Sequence, residues 1–127
     1  MQIPGLYVGP SSIDGKGVYC RHEIVEGSVI EICPTLSFDP QASLNLNLTP
    51  LHDYLFEWGE NANSTILLLG YGSLYNHSYQ PNARYDADPI YETFTIRALC
   101  DIPEGHEITF NYNGEPTDHR PLWFTTS

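Results

Sequence analysis

Apolar and polar residues alternate in short runs along much of the chain, and turn residues separate these runs. Residues Leu6–Val8 and Gly17–Cys20 predict two strands joined by a turn, so a β-hairpin is expected near the N-terminus. Residues Val29–Ile32 predict a third strand, which should end at Pro34 because proline lacks a backbone N–H. Residues Tyr91–Ala98 alternate as a half-buried strand does.

Other segments have no clean period. The stretch Asp39–Pro50 is predicted to be an irregular surface insertion, and Tyr54–Trp58 fits either a strand or one helical turn. Residues Ser64–Leu74 allow a short helix that ends near Gly70 or Gly72. The chain as a whole is therefore predicted to be mainly β with a few short helices.

Length and composition favour one small globular domain. The 127 residues are 41% hydrophobic, which is enough for a single core. The longest aliphatic run, Ile66–Leu69, is far shorter than the roughly 20 residues that a membrane helix needs. The N-terminal residues have no basic start followed by an apolar stretch, as a signal peptide would. We therefore expect an intracellular protein of the cytoplasm or nucleus, neither secreted nor bound to a membrane.

The charge is strongly negative, with 16 acidic residues against five Lys and Arg and a formal net charge of −11. Such a surface disfavours direct binding to nucleic acid and favours basic polypeptides, although the charge is also explained by solubility alone. The three cysteines form no C-x-x-C pair, and the five histidines form no i,i+4 pair, so we expect no metal site. A nucleophile elbow and a P-loop are also missing from the sequence.

Three polar segments contain candidate functional residues. The glycines of Asp14–Gly17 let backbone amides approach a ligand, although such a segment by itself is most often a hairpin turn. The segment Asn76–Asn82 is by itself compatible with a capped turn. Residues Glu107–Tyr112 predict a strand with Phe110 and Tyr112 on one face, which alone is more often core than catalysis. Their order and spacing suggest that the three segments belong together.

These segments resemble the motifs of the SET domain family of protein-lysine methyltransferases. Gly15–Gly17 is similar to the family's G-x-G, Asn76–Asn82 to its N-H-S-x-x-P-N signature, and Gly105–Tyr112 to its G-x-E-[IL]-x-[FY]-x-Y. The resemblance extends from about Leu6 to Tyr112, and its second and third motifs are the specific ones.

The resemblance implies a SET-type β-clip fold of several small sheets with a knot-like C-terminal threading. Residues Tyr54–Phe56 and Gly70–Gly72 look especially like the minimal SET enzymes of algal viruses. We accordingly expect a single SET domain over residues 1–127. The motifs lie within 6–112, and the tail, 113–127, would complete the site.

The resemblance also implies roles for individual residues. The segment Asn76–His77 should lie beside the strand that contains Phe110 and Tyr112, so that one site is closed. Tyr112 is the implied catalytic residue, whose hydroxyl would orient the amine and the methyl group. The residues implied to hold S-adenosylmethionine are Gly15, Lys16, Gly17, Val18, Asn76, His77 and Tyr112, and those implied to line the lysine channel are Tyr54, Tyr85 and Phe110.

Some implied roles leave alternatives open. Phenylalanine at Phe110, where relatives carry Phe or Tyr, predicts that two or three methyl groups can be added. In the tail, Trp123 and Phe124 either cap the adenine or the channel, or serve in core packing or a dimer contact. Lys16 either reaches the cofactor carboxylate or is an exposed turn lysine.

The predicted function is S-adenosylmethionine-dependent methylation of a lysine ε-amine in a basic protein such as a histone-like tail, without a metal. Lys16 is the single lysine, so the substrate is expected to be another molecule. Three other interpretations are a non-catalytic module that binds lysine-rich tails, an enzyme acting on a non-histone or small amine, and an acidic β-domain with coincidental motifs. A homodimer is compatible with the resemblance.

Overall fold

The computed structural model describes residues 1–57 and 65–120, which form two sheets, one α-helix and two 3₁₀ helices. The strands are β1 (Leu6–Pro10), β2 (Lys16–Cys20), β3 (Val29–Phe38), β4 (Leu55–Glu57), β5 (Thr65–Leu68), β6 (Asn76–His77), β7 (Ala83–Asp88), β8 (Thr93–Ala98) and β9 (Glu107–Phe110). The α-helix α1 spans Pro40–Leu46, and the 3₁₀ helices span Pro50–Tyr54 and Gly72–Leu74.

The four-stranded sheet has the order β1-β2-β9-β6 and brings all three motifs together. The predicted hairpin is confirmed, because β1 pairs with β2 antiparallel. Strand β9 lies antiparallel beside β2, with Ile108 opposite Val18. The short strand β6 lies parallel to β9, with His77 opposite Phe110. This parallel contact joins segments that are about 30 residues apart in sequence.

The five-stranded sheet has the order β4-β5-β3-β8-β7. The prediction that the third strand ends at Pro34 is wrong, since β3 continues to Phe38. Residues up to Pro34 pair with β8, and residues from Thr35 onward pair with β5 on the other side. The proline lies where β3 exchanges one partner for the other, so the N–H that it lacks is not needed there.

The expected irregular insertion at Asp39–Pro50 contains helix α1 instead. The Asp39 carboxylate caps the helix by accepting from the backbone N–H of Ala42 at 2.7 Å, and Pro40 occupies the first turn. No residue of α1 is buried. A helix without a buried face has no apolar period, which is why the pattern did not reveal it.

The helix expected within Ser64–Leu74 is wrong as well, because Thr65–Leu68 forms strand β5. This strand lies between β4 and β3, and three of its four residues are buried. In a short run that is buried on both faces, apolar residues do not alternate with polar ones. The sequence pattern therefore cannot distinguish a strand from a helix there. Of the ambiguous stretch Tyr54–Trp58, residues Leu55–Glu57 form strand β4, and Trp58 lies outside the described residues.

One core lies between the sheets, and it includes a cluster of aromatic rings. Tyr75, Phe94 and Phe110 are its largest fully buried side chains. The mainly β architecture with short helices is confirmed, and the knot-like threading stays a prediction. No helix within residues 1–57 and 65–120 is long and apolar enough to cross a membrane.

Candidate active site

The second and third motifs meet at the contact between β6 and β9. The Nδ1 atom of His77 accepts a hydrogen bond of 3.0 Å from the backbone N–H of Tyr112. The backbone N–H of Ser78 donates to the carbonyl of Phe110 at 3.1 Å. The rings of His77 and Tyr112 lie 5.3 Å apart in an edge-to-face arrangement. The histidine and the tyrosine that the motifs singled out are therefore direct neighbours.

Tyr112 is held at three of its polar atoms. Besides the bond from its N–H, its carbonyl accepts from the Tyr85 hydroxyl at 3.0 Å. Its own hydroxyl donates to the backbone carbonyl of Tyr75. The side chain is partly exposed, in contrast to the buried Phe110 two residues before it. The phenol of Tyr112 is therefore both fixed and accessible.

Aromatic rings surround Tyr112. Phe110 lies 5.6 Å from the Tyr112 ring and 5.1 Å from the ring of Tyr85, as measured between centroids. Phe56 lies 5.4 Å from the Tyr112 ring at an interplanar angle of 73°. Sequence reasoning did not select Phe56 as a site residue, although it belongs to the run Tyr54–Phe56 that carries part of the resemblance. Two of the three predicted channel residues, Tyr85 and Phe110, are thus neighbours of Tyr112.

Tyr54, the third predicted channel residue, lies at the end of the 3₁₀ helix Pro50–Tyr54 and is 42% exposed. It lines a depression of about 290 Å³ together with Leu51, Leu67, Leu68, Gly70, Ser73 and Leu74. Its place in a lysine channel stays a prediction.

Asn76 connects the first motif to the other two. Its side-chain Nδ2 lies 3.1 Å from the carbonyl of Asp14 and 3.0 Å from that of Lys16, and it donates to the Glu107 carboxylate at 2.7 Å. The hydroxyl of Ser11 also donates to Glu107 at 2.7 Å. The loop between β1 and β2 is therefore bound to both β6 and β9. Ser11 and Glu107 are site residues that the sequence reasoning missed, although Glu107 is the acidic position of the third motif.

The glycine-containing turn is shaped by these contacts. Gly17 packs so closely that a Cβ atom there would collide with the Glu107 carboxylate. Gly15 adopts a φ of +46°, which favours glycine. Lys16 is exposed, whereas Val18 is completely buried opposite Ile108. Val18 lies between β1 and β9 with no exposed surface, so its predicted contact with the cofactor stays a prediction.

The imidazole of His77 is buried, with 7% of its surface exposed, and desolvation lowers its pKa below the usual 6.5. The ring is therefore neutral at pH 7. Because Nδ1 accepts from Tyr112, the proton of the neutral ring belongs on Nε2. That Nε2 is buried and has no hydrogen-bond partner among the described residues. A buried N–H of this kind is suited to a ligand acceptor.

A polar groove adjoins the aromatic cluster. A cavity of about 270 Å³ lies between β7 and the residues that follow Tyr112, and it is lined by Arg84, Tyr85, Asp86, Ala87, Asn113, Gly114 and Glu115. Burial, assisted by the negative charge of Glu115, raises the pKa of Tyr85 to about 12. Tyr85 therefore remains an uncharged phenol and a hydrogen-bond donor at physiological pH.

The chain after Tyr112 folds back over the second motif. The side-chain amide of Asn113 donates to the carbonyl of Arg120 at 2.7 Å, and the hydroxyl of Tyr79 donates to the same carbonyl at 2.9 Å. The ring of Tyr79 in turn lies 4.3 Å from that of His77. Residues up to 120 are thus held beside the histidine. Trp123 and Phe124 lie outside the described residues.

Comparison with known proteins identifies the family. The model of the SET domain covers residues 15–113, which include all three motifs. The chain belongs to the SET domain family. It is also similar to a histone-lysine N-methyltransferase of Schizosaccharomyces pombe, named as specific for lysine 37 of histone H3. The two are 31% identical over 98% of this chain and 82% of the relative. This SET protein is thereby an enzyme of the protein-lysine N-methyltransferase class.

Solved structures agree with this assignment. A Plasmodium falciparum protein assigned as a histone methyltransferase is 34% identical, with a TM-score of 0.65 over 85% of this chain and 92% of that one. The Polycomb Repressive Complex 2 of Chaetomium thermophilum is 18% identical, with a TM-score of 0.70 over 85% of this chain and 15% of that one, and it supports the fold alone. The similarity to minimal viral enzymes stays a prediction. Within residues 1–57 and 65–120, no group of three or more His, Cys, Asp or Glu could hold a metal ion.

Proposed function

We propose that this SET protein transfers methyl groups from S-adenosylmethionine to a lysine ε-amine in a basic protein. The observation that carries the proposal is the junction of β6 and β9, where the N–H of Tyr112 donates to His77 at 3.0 Å. Asn76 in the same strand reaches the glycine turn, so the three motifs form one continuous surface. Such an arrangement suits a two-substrate site with the Tyr112 phenol at its centre.

The residues beside His77 fit the proposed methyl donor. The buried Nε2 of His77 has no partner within residues 1–57 and 65–120 and can donate to an acceptor such as an adenine nitrogen. Gly15 is exposed and has open space where a side chain would be, so a ligand can approach the backbone of the turn closely there. We assign to the donor site Gly15, Lys16, Gly17, Val18, Asn76, His77 and the backbone of Tyr112. When bound there, S-adenosylmethionine would supply an electrophilic methyl group on a positively charged sulfur.

The aromatic cluster suits a lysine that must react as a neutral amine. An unperturbed lysine has a pKa of about 10.4, so almost all of it is charged at pH 7. Rings such as Phe56, Tyr85 and Tyr112 exclude water, and desolvation lowers the pKa of an amine. The faces of these rings also stabilise a methylated ammonium by about 0.5 to 2 kcal/mol each. The hydroxyl of Tyr112, already donating its proton to Tyr75, can accept a hydrogen bond from the amine.

The acidic surface favours a basic substrate. A net charge of −11 attracts lysine-rich and arginine-rich segments and repels nucleic-acid backbones. The groove beside Tyr85 is lined by Glu115 and by Asp86, which pairs with Arg84 at 3.2 Å, so Glu115 is the carboxylate that we propose to face such a segment. The Schizosaccharomyces pombe relative is named for a histone lysine, which supports a histone-like tail as the substrate and an intracellular site of action.

The test is a methyl-transfer assay with labelled S-adenosylmethionine on a panel of basic proteins, run beside Tyr112→Phe. We expect the wild type to label a lysine, and Tyr112→Phe to lose about 100-fold in kcat, because the amine is no longer held in the reactive orientation. Tyr91→Phe, which changes a tyrosine that is 78% exposed, is the matched control and should retain full activity.

Calorimetry with S-adenosylmethionine separates this proposal from its rivals. Binding of the donor to both wild type and Tyr112→Phe, with transfer lost only in the variant, would support the phenol in the chemical step. Absence of donor binding would instead favour a module that holds lysine-rich tails without turnover. Donor binding without transfer to any basic protein would favour a different amine as the substrate.

A further inference from the structure

The fully buried carboxylate of Glu31 has no role in the site described so far. It lies near the start of β3, two residues after Val29, and is 1% exposed. Its carboxylate accepts from the side-chain amide of Gln2 at 2.8 Å, the backbone N–H of Tyr71 at 3.1 Å and the hydroxyl of Tyr75 at 2.8 Å, and the thiol of Cys33 also interacts with it. Each of the three donors is uncharged. Burying a carboxylate with neutral donors alone costs free energy, so its presence calls for an explanation beyond core packing.

The residues around Glu31 leave space for its carboxylate and donate hydrogen bonds to it. Gly70 adopts a φ of +63°, and a Cβ atom at that position would collide with the Glu31 carboxylate. The second oxygen of the carboxylate accepts from Gln2 and from Tyr71, and the first accepts from Tyr75. The negative charge, together with burial, raises the pKa of the Tyr75 phenol, which keeps that phenol protonated and able to donate. The carboxylate therefore fixes the ring of Tyr75 from one end.

The other end of the same residue contacts the catalytic tyrosine. The backbone carbonyl of Tyr75 accepts the hydrogen bond from the Tyr112 hydroxyl. Tyr75 is fully buried, and its ring lies 5.5 Å from that of Phe110. It also directly precedes Asn76 and His77 in the chain. Tyr75 is thus held at both ends, at its hydroxyl by Glu31 and at its backbone carbonyl by Tyr112, so a shift of the whole residue would move the carbonyl that receives the proton of Tyr112.

We propose that Glu31 is a positioning residue for methyl transfer, acting through Tyr75 to set the direction of the Tyr112 hydroxyl. This inference rests on the proposed function, because it concerns the orientation of the same phenol. With its proton directed to the Tyr75 carbonyl, the Tyr112 oxygen meets the substrate as an acceptor. Loss of the anchor leaves the phenol free to turn, and small misplacements of reacting groups reduce rates strongly.

The decisive experiment is a double-mutant cycle between Glu31→Gln and Tyr75→Phe. The first variant keeps the shape of the side chain but cannot accept from all three donors, and the second removes one hydroxyl and keeps the carbonyl. We expect each single variant to lower kcat by about 10-fold, and the double variant to lower it no further than either single one. The dissociation constant for S-adenosylmethionine should stay within about threefold of wild type.

A readout independent of activity accompanies the cycle. Tyrosine labelled with ¹³C at Cζ gives an NMR signal for Tyr112, which Tyr112→Phe assigns by its disappearance. This signal should move in Glu31→Gln and in Tyr75→Phe. Ile30→Val, a substitution of the completely buried neighbour in β3, is the control for stability. It should lower the melting temperature while leaving the signal and kcat unchanged.

Two results would overturn the proposal: independent effects that multiply to about 100-fold in the double variant, or a Tyr112 signal that stays in place. Should Glu31→Gln fail to fold, Gln2→Met removes only the outermost donor and is expected to move the signal in the same direction. A wild-type protein without transferase activity would refute the proposed function. The NMR signals would still decide whether Glu31 positions Tyr112.

Discussion

The side-chain amide of Asn76 donates a hydrogen bond of 2.7 Å to the carboxylate of Glu107, across 31 residues of sequence. The same amide reaches the carbonyl groups of Asp14 and Lys16. One amide group therefore connects the glycine turn, β6 and β9. The shape of the turn depends on the space that Gly17 leaves for Glu107.

Gly17→Ala is expected to weaken the binding of S-adenosylmethionine by at least 10-fold, equal to about 1.4 kcal/mol. The added Cβ collides with Glu107, so the carboxylate must move and release Asn76. Isothermal titration calorimetry measures the effect. Gly9→Ala is the matched control, since Gly9 has no positive φ and the nearest atom that its Cβ would meet, in the ring of Tyr19, is at an ordinary contact distance of 3.6 Å. Equal affinities in the two variants would contradict the role assigned to Gly17.

Protonation of His77 is expected to destabilise the fold and the donor site in acid. Burial lowers the folded-state pKa of His77 below 6.5, so the neutral ring contributes stability above pH 6.5. That contribution is lost as the pH falls through 6.5 toward the folded-state pKa, since a proton on Nδ1 excludes the bond from Tyr112. Urea unfolding between pH 5 and 8 measures the loss. The slope should be shallower in His77→Gln and unchanged in His106→Gln, an exposed control.

The degree of methylation is expected to depend on Phe110. Its ring is completely buried and lies 5.1 Å from Tyr85 and 5.6 Å from Tyr112. A hydroxyl introduced there can hold a water molecule in the space that a further methyl group needs. Mass spectrometry of a peptide product should show two or three methyl groups with the wild type and mainly one with Phe110→Tyr. A wild-type product that stops at one methyl group would reject this prediction.

Tyr85→Phe is expected to reduce the free energy of unfolding by about 1 kcal/mol, because the partly buried carbonyl of Tyr112 loses its donor. We also expect kcat to fall several-fold, since the backbone of Tyr112 is held less firmly. Chemical denaturation and initial rates give the two values. An unchanged stability and rate would show that the bond of 3.0 Å between Tyr85 and Tyr112 is dispensable.

Salt is expected to weaken the binding of the protein substrate. The net charge of −11 attracts a basic segment over a distance that dissolved ions screen. The KM for a lysine-rich peptide should increase several-fold between 50 and 300 mM NaCl, with little change in kcat. A KM that is independent of salt would mean that the acidic surface serves solubility only.

Sequence patterns predicted the strands in which apolar and polar residues alternate along the strand itself. The hairpin β1–β2 and the strand β8 alternate clearly, and each was expected within a few residues of its observed bounds. Helix α1 and strand β5 were missed for opposite reasons. The helix buries no residue, so apolar residues do not recur along one of its faces. The strand is covered on both faces, so polar residues do not alternate with its apolar ones. Pattern analysis detects elements that are buried on one face, and it misses elements that are fully exposed or buried on both faces.

The residues of the candidate site also divide into those that a local motif reveals and those that it does not. The motif residues Asn76, His77 and Tyr112 were selected from their order and spacing, and the structure places them together. Glu31 and Phe56 were not selected. A single acidic residue in an apolar strand and a single phenylalanine have no distinguishing local pattern, and their roles depend on partners distant in the chain.

The sequence by itself determined the family, the motif residues and the acidic character of this protein, because residue identities and short spacings are written directly in the chain. Only the tertiary structure decided that β6 runs parallel to β9 and that the hydroxyl of Tyr112 donates to the carbonyl of Tyr75. It also decided that the buried carboxylate of Glu31 accepts from the hydroxyl of Tyr75. These contacts join residues more than 30 positions apart. The first is a strand pairing within the four-stranded sheet, and the last joins Glu31 of β3 to the residue before β6, so no local pattern specifies either.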